Sequence, residues 1–148
     1  FFYVMSTSGE HLDFDLDLAK SESQDNPVYY VQYAHARVCS VFAQWGGDPG
    51  QLVRAPLASL VHPRELSLMQ RLGAFPEAID TAARELAPHS LAFYLRELAG
   101  EFHSYYNAER ILLDDEAQRL ARLALCAAVR QVLSNGLSLL GVSAPEKM

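Results

Sequence analysis

The sequence lacks the short motifs that mark several common catalytic sites. It contains no glycine-rich phosphate loop of the GxGxxG or GxxxxGKS/T type and no GxSxG serine elbow. These absences argue against dinucleotide binding, P-loop nucleotide hydrolysis and serine hydrolysis. We therefore expect no catalytic residue and no cofactor within this stretch of chain.

Cysteine is also scarce. Spacing alone permits a disulfide between Cys39 and Cys126, but two reduced thiols within helices fit a cytoplasmic protein better. His35 and Cys39 lie four residues apart on a predicted helix, a spacing that can chelate a metal ion. No second pair with zinc-ligand spacing accompanies them, so we predict no metal site.

Long apolar runs are missing as well. No stretch of about 18 apolar residues is present, so we expect no membrane-spanning segment. The opening residues FFYVMSTSGEH have neither the basic region nor the long apolar region of a signal peptide. They also do not begin with Met, so we expect a piece of a longer, cytoplasmic protein.

Lysine is rare, and the charge is unevenly distributed. The formal net charge of −6 argues against nucleic-acid binding. However, residues 9–25 hold six acidic residues and one lysine, which leaves the rest of the chain close to neutral. Ten of the eleven basic residues after position 25 are arginine, which stacks on bases and bridges phosphates better than lysine does. The net charge therefore says little about the main body.

The residue patterns predict an all-α bundle of about five helices behind a short extended segment. Residues 11–19 alternate apolar and acidic side chains, which predicts an extended segment, and residues 20–25 resemble a polar linker. Asn26 suits an N-cap and Pro27 a first helical residue, so the first helix should run to about Trp45, before GGDPG. Further helices are predicted over residues 63–73, 76–86, 88–112 and 114–140, the last central and ending before Gly141. The stripe predicted to be buried in the 88–112 helix is Leu91, Leu95, Leu98, Phe102 and Tyr105.

The segment NPVYYVQYAHARVCSVF, residues 26–42, is unusually rich in aromatic side chains. On a helical wheel, Tyr30, Tyr33 and Arg37 form one stripe, which has two interpretations. It is either a stacking platform for unpaired RNA bases or a rim of tyrosines around the core, with their hydroxyls in water. Spacing alone favours the rim. The face predicted to be core is Val31, His35, Val38, Phe42 and Trp45.

Four stretches of the chain resemble the arginyl-tRNA synthetase family. LDFDLDLAKSESQDNPVYYVQYAHAR is similar to the passage from the family's catalytic domain into its helical, DALR-type anticodon-binding domain. ELSLMQRLGAFPEAID resembles the family's central helix pair, and LAFYLRELAGEFHSYYN resembles its tyrosine-bearing helix. ARLALCAAVRQVLSNGLSLLGVSAPEKM resembles its terminal helix and the ending that follows. Together these stretches cover essentially the whole chain, in order.

The resemblance implies a domain boundary near Asn26. Residues 1–25 would be the end of the catalytic domain and a linker, and residues 26–148 the anticodon-binding domain. The parent enzyme attaches arginine to its tRNA with ATP and Mg. Its HIGH- and KMSK-type signatures do not occur here, so we do not expect this fragment to aminoacylate. The implied partners are the anticodon loop of arginine tRNA and the catalytic domain of the same chain, in a monomer.

The resemblance also implies site residues, which would grip the anticodon loop by stacking and by charge-assisted bonds from an arginine. The alternative function is a helical protein-interaction module that binds no RNA. That alternative predicts an exposed apolar groove and binding with little dependence on salt. The positions that match the family are Tyr30, Tyr33, Arg37, Tyr106 and Met148, with His103 and Asn107 as weaker candidates.

Overall fold

The computed structural model describes residues 1–6 and 13–148, and within these ranges the regular structure is helical, with no strand. This confirms the predicted all-α bundle. Two 3₁₀ turns, Pro49–Arg54 and Leu57–Ser59, connect the second helix to the third. The α-helices are α1 (Leu16–Lys20), α2 (Pro27–Trp45), α3 (Pro63–Gly73), α4 (Phe75–Arg84), α5 (Pro88–Ala108) and α6 (Glu116–Leu139).

Two long helices share the centre of the bundle. α6 packs against α2, α3, α5 and both 3₁₀ turns, while α5 packs against α2, α3, α4 and α6. The stripe predicted to be buried in α5 is buried in full. The prediction of α6 as the central helix therefore needs one change, since α5 is equally central. In the described residues, no helix is both long enough and apolar enough to span a bilayer.

Asn26 joins the start of α2 to the segment before it. Its side chain is only 4% exposed. Its Oδ1 accepts hydrogen bonds from the backbone N–H groups of Val28 and Tyr29, at 3.2 and 3.4 Å. Its Nδ2 donates to the carbonyls of Ala19 and Ser21, at 3.2 and 2.9 Å. The predicted N-cap is thus confirmed, and the same amide also fixes residues 19–21.

Replacing Asn26 should therefore cost more than the loss of an ordinary cap. We expect Asn26→Ala to lower the free energy of unfolding by about 2 kcal/mol, because a cap and two further hydrogen bonds disappear. Asn26→Asp keeps the cap acceptor but cannot donate to the two carbonyls. Its stability therefore measures the contribution of the hydrogen bonds to Ala19 and Ser21 alone. Urea unfolding followed by circular dichroism measures both. An alanine variant within about 0.5 kcal/mol of the wild type would contradict this account.

Glycines stop α2 and α6 where the sequence predicts. Gly46 follows α2 with φ 63°, and Gly141 lies just beyond α6 with φ 70°. Both values fall in the left-handed region, which glycine adopts without steric cost. After α6, the N–H of Gly141 donates to the carbonyl of Ser138 at 3.0 Å, and that of Val142 to Leu137 at 2.9 Å. This pair of bonds closes the helix and turns the chain back toward α2.

The extended segment predicted over residues 11–19 is wrong for its second half. Residues 16–20 form the short helix α1, and positions 11 and 12 lie outside the described residues. The cause is local: the carboxylate of Asp15 accepts from the N–H groups of Asp17 and Leu18, at 2.9 and 3.0 Å. The alternating acids thus include an N-cap, which competes with the extended conformation.

The predicted helix over residues 88–112 is too long by four residues. α5 ends at Ala108, and Glu109 is extended, with φ −121° and ψ 134°. The turn that follows is fixed by α6, because Arg122 donates to the carbonyl of Arg110 at 2.6 Å and Arg119 to that of Leu113 at 2.7 Å. α6 itself begins at Glu116, two residues later than predicted, with Asp115 as its N-cap.

Candidate nucleic-acid interface

An open cleft of about 480 Å³ brings four of the predicted site residues together. Tyr33 and Arg37 come from α2 and Tyr106 from α5. Met148 comes from residues 141–148, which follow α6, and it is 49% exposed. We call this the α2–α5 cleft. Its lining residues are Tyr33, Ala36, Arg37, Ser40, Tyr106, Lys147 and Met148.

The guanidinium of Arg37 packs against two aromatic rings in this cleft. Its Cζ lies 4.7 Å from the ring centroid of Tyr33 and 4.5 Å from that of Tyr106. Its Nη2 also donates to the Tyr33 hydroxyl at 3.2 Å. Both contacts hold the guanidinium close to the rings, and cation–π attraction contributes about 0.5–2 kcal/mol per pair.

Arg37 nevertheless retains donors for a ligand. A guanidinium has five N–H donors, and the structure assigns one to Tyr33 and one to His103. In the part of the chain that the structure describes, no acidic side chain lies within ion-pair distance of Arg37. The arrangement offers an uncompensated positive charge beside flat, partly exposed rings, which suits a nucleotide.

His103 lies beneath the cleft rather than on its surface, with an exposure of 7%. Its Nδ1 is 3.0 Å from Nη1 of Arg37, and its Nε2 is 3.2 Å from the carbonyl oxygen of Tyr30. Burial lowers the pKa of His103 below the ordinary 6.5, and the nearby Arg37 charge lowers it further. The buried position leaves it poorly placed to touch a ligand directly.

Two other predicted site residues lie apart from the α2–α5 cleft. Tyr30 lines a separate opening with Phe93 and Arg96 of α5, and its hydroxyl lies over Gly100. Asn107 is exposed near the end of α5, but it does not line the cleft. The wheel stripe of Tyr30, Tyr33 and Arg37 is therefore divided between two openings.

Residues 141–148 are attached to α2 by two side chains. Gln32 donates to the carbonyl of Ser143 at 2.8 Å, and Nδ1 of the buried His35 is 2.9 Å from the carbonyl of Pro145. Because a carbonyl only accepts, this ring nitrogen carries the hydrogen. These bonds bring Met148 alongside α2, and they give His35 a role beyond packing. Cys39, with its Sγ 3.9 Å from the same nitrogen, is a free thiol, as is Cys126.

Removing the His35 anchor should displace Met148. We expect His35→Leu to free residues 143–148 and to lower the free energy of unfolding by about 1 kcal/mol. The chain has three methionines, so methyl NMR with ¹³C-labelled methionine gives each its own signal. The Met148 signal should move toward its unfolded position, whereas that of Met69 on α3 serves as the control and should stay. An unmoved Met148 signal would show that other contacts hold the segment.

Sequence reasoning missed four residues that belong to this surface, one of them Ala36 in the cleft lining. Ser40 and Lys147 line the α2–α5 cleft, and the Tyr29 ring is parallel to that of Tyr33, with centroids 6.0 Å apart. Helical spacing could have found two of them, because Tyr29 precedes Tyr33 by four positions and Ser40 follows Arg37 by three. No sequence signal points to Lys147, whose position depends on how residues 141–148 fold back.

Three of the other nine arginines differ from Arg37 in having acidic partners within ion-pair distance among the residues that the structure describes. Arg71 pairs with Glu97 and Glu101 of α5 at 2.8 and 2.7 Å. Arg84 pairs with Asp80, and Arg122 with Glu65, at 3.0 and 2.8 Å. Their charges are neutralised within the bundle. The nearly neutral part of the chain after residue 25 therefore still presents local positive charge at the cleft, from Arg37 and Lys147.

The fold and the cleft together define the class: an all-α bundle with an aromatic and arginine-containing cleft between α2 and α5. Comparison with known proteins adds the family. The DALR anticodon binding domain matches residues 31–148. The chain belongs to the DALR anticodon-binding domain family.

Individual relatives agree with this assignment. The chain is 68% identical to the arginine–tRNA ligase of Nitrosospira multiformis and 65% identical to that of Azoarcus sp., in each case over all of its residues. It spans 26% and 25% of the length of these relatives, about a quarter. The solved arginyl-tRNA synthetase of Thermus thermophilus is 37% identical, with a TM-score of 0.86 over 99% of this chain and 25% of that one. The matched part is an anticodon-binding domain and not a catalytic one.

Proposed function

We propose that this chain binds the anticodon loop of arginine tRNA through the α2–α5 cleft. Unpaired bases stack on the partly exposed rings of Tyr33 and Tyr106 and against the thioether of Met148. Arg37 supplies charge-assisted hydrogen bonds to a base edge or a phosphate. Tyr30 contacts the loop from its own opening, with Asn107 at the margin. In this form of recognition, the protein selects splayed single-stranded bases by stacking and by shape complementarity.

The packing of Arg37 between Tyr33 and Tyr106 is the observation that carries the proposal. A guanidinium held by two rings, with three donors that take no partner among residues 1–6 and 13–148, is already oriented for a planar or anionic ligand. Such preorganisation reduces the conformational entropy that binding would otherwise cost. The family assignment supports the choice of ligand, because the family is described as anticodon-binding.

The proposal extends to the protein of which this chain would form part. Residues 26–148 act as the anticodon-binding domain, and residues 1–25 belong to the end of a catalytic domain and its linker. That catalytic domain, in the same chain, uses ATP with Mg to join arginine to its tRNA. The protein works in the cytoplasm as a monomer. This proposal is supported by the relatives named arginine–tRNA ligase, which all residues of this chain match over about a quarter of the relatives' length.

A salt titration with two RNAs tests the proposal. Binding of labelled arginine tRNA is compared with binding of the same tRNA carrying a different anticodon, over a range of salt concentrations. We expect affinity to fall as salt rises, because phosphate contacts release counterions. We also expect the swapped anticodon to weaken binding by about tenfold, or about 1.4 kcal/mol. Equal binding of the two tRNAs would reduce the activity to non-specific RNA affinity.

One surface feature favours the alternative of a protein-interaction module. Leu66 and Met69 of α3 are 47% and 39% exposed and border a shallow apolar groove with Pro63. A partner in that groove would bind with little dependence on salt and would ignore changes in the α2–α5 cleft. The same titration, repeated with Met69→Lys, therefore separates the two functions: RNA binding through the cleft should be unaffected by this change.

A further inference from the structure

His103 joins the two helices that form the α2–α5 cleft. It projects from α5, and its ring lies against the rings of Tyr30 and Tyr33 of α2, with centroids 4.7 and 5.7 Å away. Both ring nitrogens have partners, Nδ1 in the guanidinium of Arg37 and Nε2 in the Tyr30 carbonyl. The ring is thus fixed in position and in orientation.

These partners define the protonation state of the ring. The guanidinium of Arg37 can only donate, so Nδ1 must be an acceptor. The carbonyl of Tyr30 can only accept, so Nε2 must carry the hydrogen. Both bonds are satisfied together only by the neutral imidazole with its hydrogen on Nε2.

We propose that neutral His103 is a positioning residue that holds Arg37 in the α2–α5 cleft, and that protonation of His103 in mild acid releases Arg37 and weakens RNA binding. The inference rests on the proposed function and adds a pH dependence to it. A proton on Nδ1 would turn the acceptor into a donor and place a second cation 3.0 Å from the guanidinium. Arg37 would then lose one of its two hydrogen bonds and be repelled from its place between the rings.

The surroundings of His103 determine where this change occurs. In the described part of the chain, the groups that face the ring from α2 are Arg37, Tyr30 and Tyr33, and from α5 itself the Phe102 ring. No carboxylate is among them; the Tyr30 carbonyl favours the imidazolium, but burial outweighs it. Burial and the Arg37 charge both lower the pKa of His103, so the transition lies below the ordinary value of 6.5.

The sign of the expected effect distinguishes this mechanism from general electrostatics. Acidification makes a protein with a net charge of −6 less negative, which by itself should strengthen binding to a polyanion. Release of Arg37 predicts the opposite, a loss of affinity. Affinity measured across the protonation of His103 therefore distinguishes release of Arg37, which weakens binding, from the change in net charge, which strengthens it.

The test measures binding of a fluorescent anticodon stem-loop of arginine tRNA by anisotropy, from about pH 8 down through the acid range in which the protein stays folded, at constant ionic strength. The wild type should bind evenly at the upper end and about tenfold more weakly at the lower end, the loss expected for one charge-assisted bond. In His103→Gln, the amide can accept from Arg37 and donate to the Tyr30 carbonyl without titrating. This variant should bind nearly as well as the wild type at pH 8 and keep its affinity in acid.

Two further variants complete the design. His103→Leu removes the acceptor and should bind weakly at every pH, and circular dichroism at each pH confirms that it is folded. His89→Gln replaces a histidine at the start of α5, far along the helix from the cleft, and should retain the loss in acid. Parallel pH profiles for the wild type and His103→Gln would overturn the inference about His103 but leave the proposed function standing. No binding by the wild type at about pH 8 would overturn the proposed function, and the inference with it.

Discussion

Arg37→Ala is expected to weaken binding of the arginine anticodon stem-loop by about tenfold to a hundredfold. The change removes charge-assisted hydrogen bonds, which contribute about 1.5–3 kcal/mol, and each 1.4 kcal/mol corresponds to a factor of ten. It also leaves Tyr33 and Tyr106 without the guanidinium that packs on both rings. Anisotropy titration with the labelled stem-loop measures the loss, and the salt dependence should become shallower if Arg37 contacts a phosphate.

Two matched variants separate charge from geometry in this experiment. Arg37→Lys keeps the positive charge but has neither the planar fork nor the stacking surface, so it should recover only part of the affinity. Arg84→Ala removes the same charge from α4, which packs beside the first half of α5, and should leave binding unchanged. Equal affinity for the wild type and Arg37→Ala would remove the α2–α5 cleft from the proposal.

The same substitution makes a prediction for the full-length ligase proposed above. In an arginine–tRNA ligase that carries this chain, Arg37→Ala should raise the KM for tRNA while the KM values for ATP and arginine stay the same. Binding lost equally in ground and transition states appears in KM rather than in kcat. A fall in kcat with an unchanged KM for tRNA would instead indicate that the domain communicates with the catalytic step.

Local patterns were sufficient to predict most of the helical fold. Asn26 and Pro27 marked the start of α2, and the apolar stripe of α5 was predicted residue by residue. These features depend on a few neighbouring residues, so they can be read from the chain. The errors came where a competing local bond decided the outcome, as at the Asp15 cap, or where a distant helix did, as at the turn held by Arg122.

The candidate site was predictable only as far as one helix determines it. The wheel placed Tyr33 and Arg37 on one stripe, but it could not show that the Tyr30 hydroxyl lies over Gly100 of α5, in a separate opening. It also could not place Met148 or the support from His103, because both depend on contacts between segments far apart in sequence. The family resemblance did identify Met148 as a site residue. Neither the helical wheel nor the resemblance predicted the hydrogen bond from Arg37 to His103.

Glu65 shows the same limit more strongly, because its position in PRELSL resembles that of a solvent-exposed helix residue. In the structure its side chain is 2% exposed. Its Oε1 is 2.8 Å from Nε of Arg122 on α6 and accepts from the Tyr105 hydroxyl of α5 at 3.2 Å. Its Oε2 accepts from the backbone N–H of His62 at 3.0 Å, completing a capping box at the start of α3. One carboxylate therefore connects three helices.

We expect Glu65→Ala to lower the free energy of unfolding by about 3–5 kcal/mol, the cost of leaving one member of a buried ion pair alone. The remaining partner, Arg122, is only 12% exposed, and its other acidic contact, Glu109, lies 3.6 Å away. The Tyr105 hydroxyl would also lose its acceptor in a site without solvent. Urea unfolding of the variant and the wild type measures the difference.

Two controls decide whether the buried charge is the cause. Arg84→Ala breaks an exposed pair, with side chains 77% and 55% exposed, and should change stability by less than about 0.5 kcal/mol. Glu65→Leu combined with Arg122→Leu removes both charges, so it should recover part of the loss seen in Glu65→Ala, because no isolated charge remains buried. If the double variant is instead less stable than Glu65→Ala, the network stabilises the bundle through its own hydrogen bonds. The desolvation of an unpaired arginine would then be the smaller contribution.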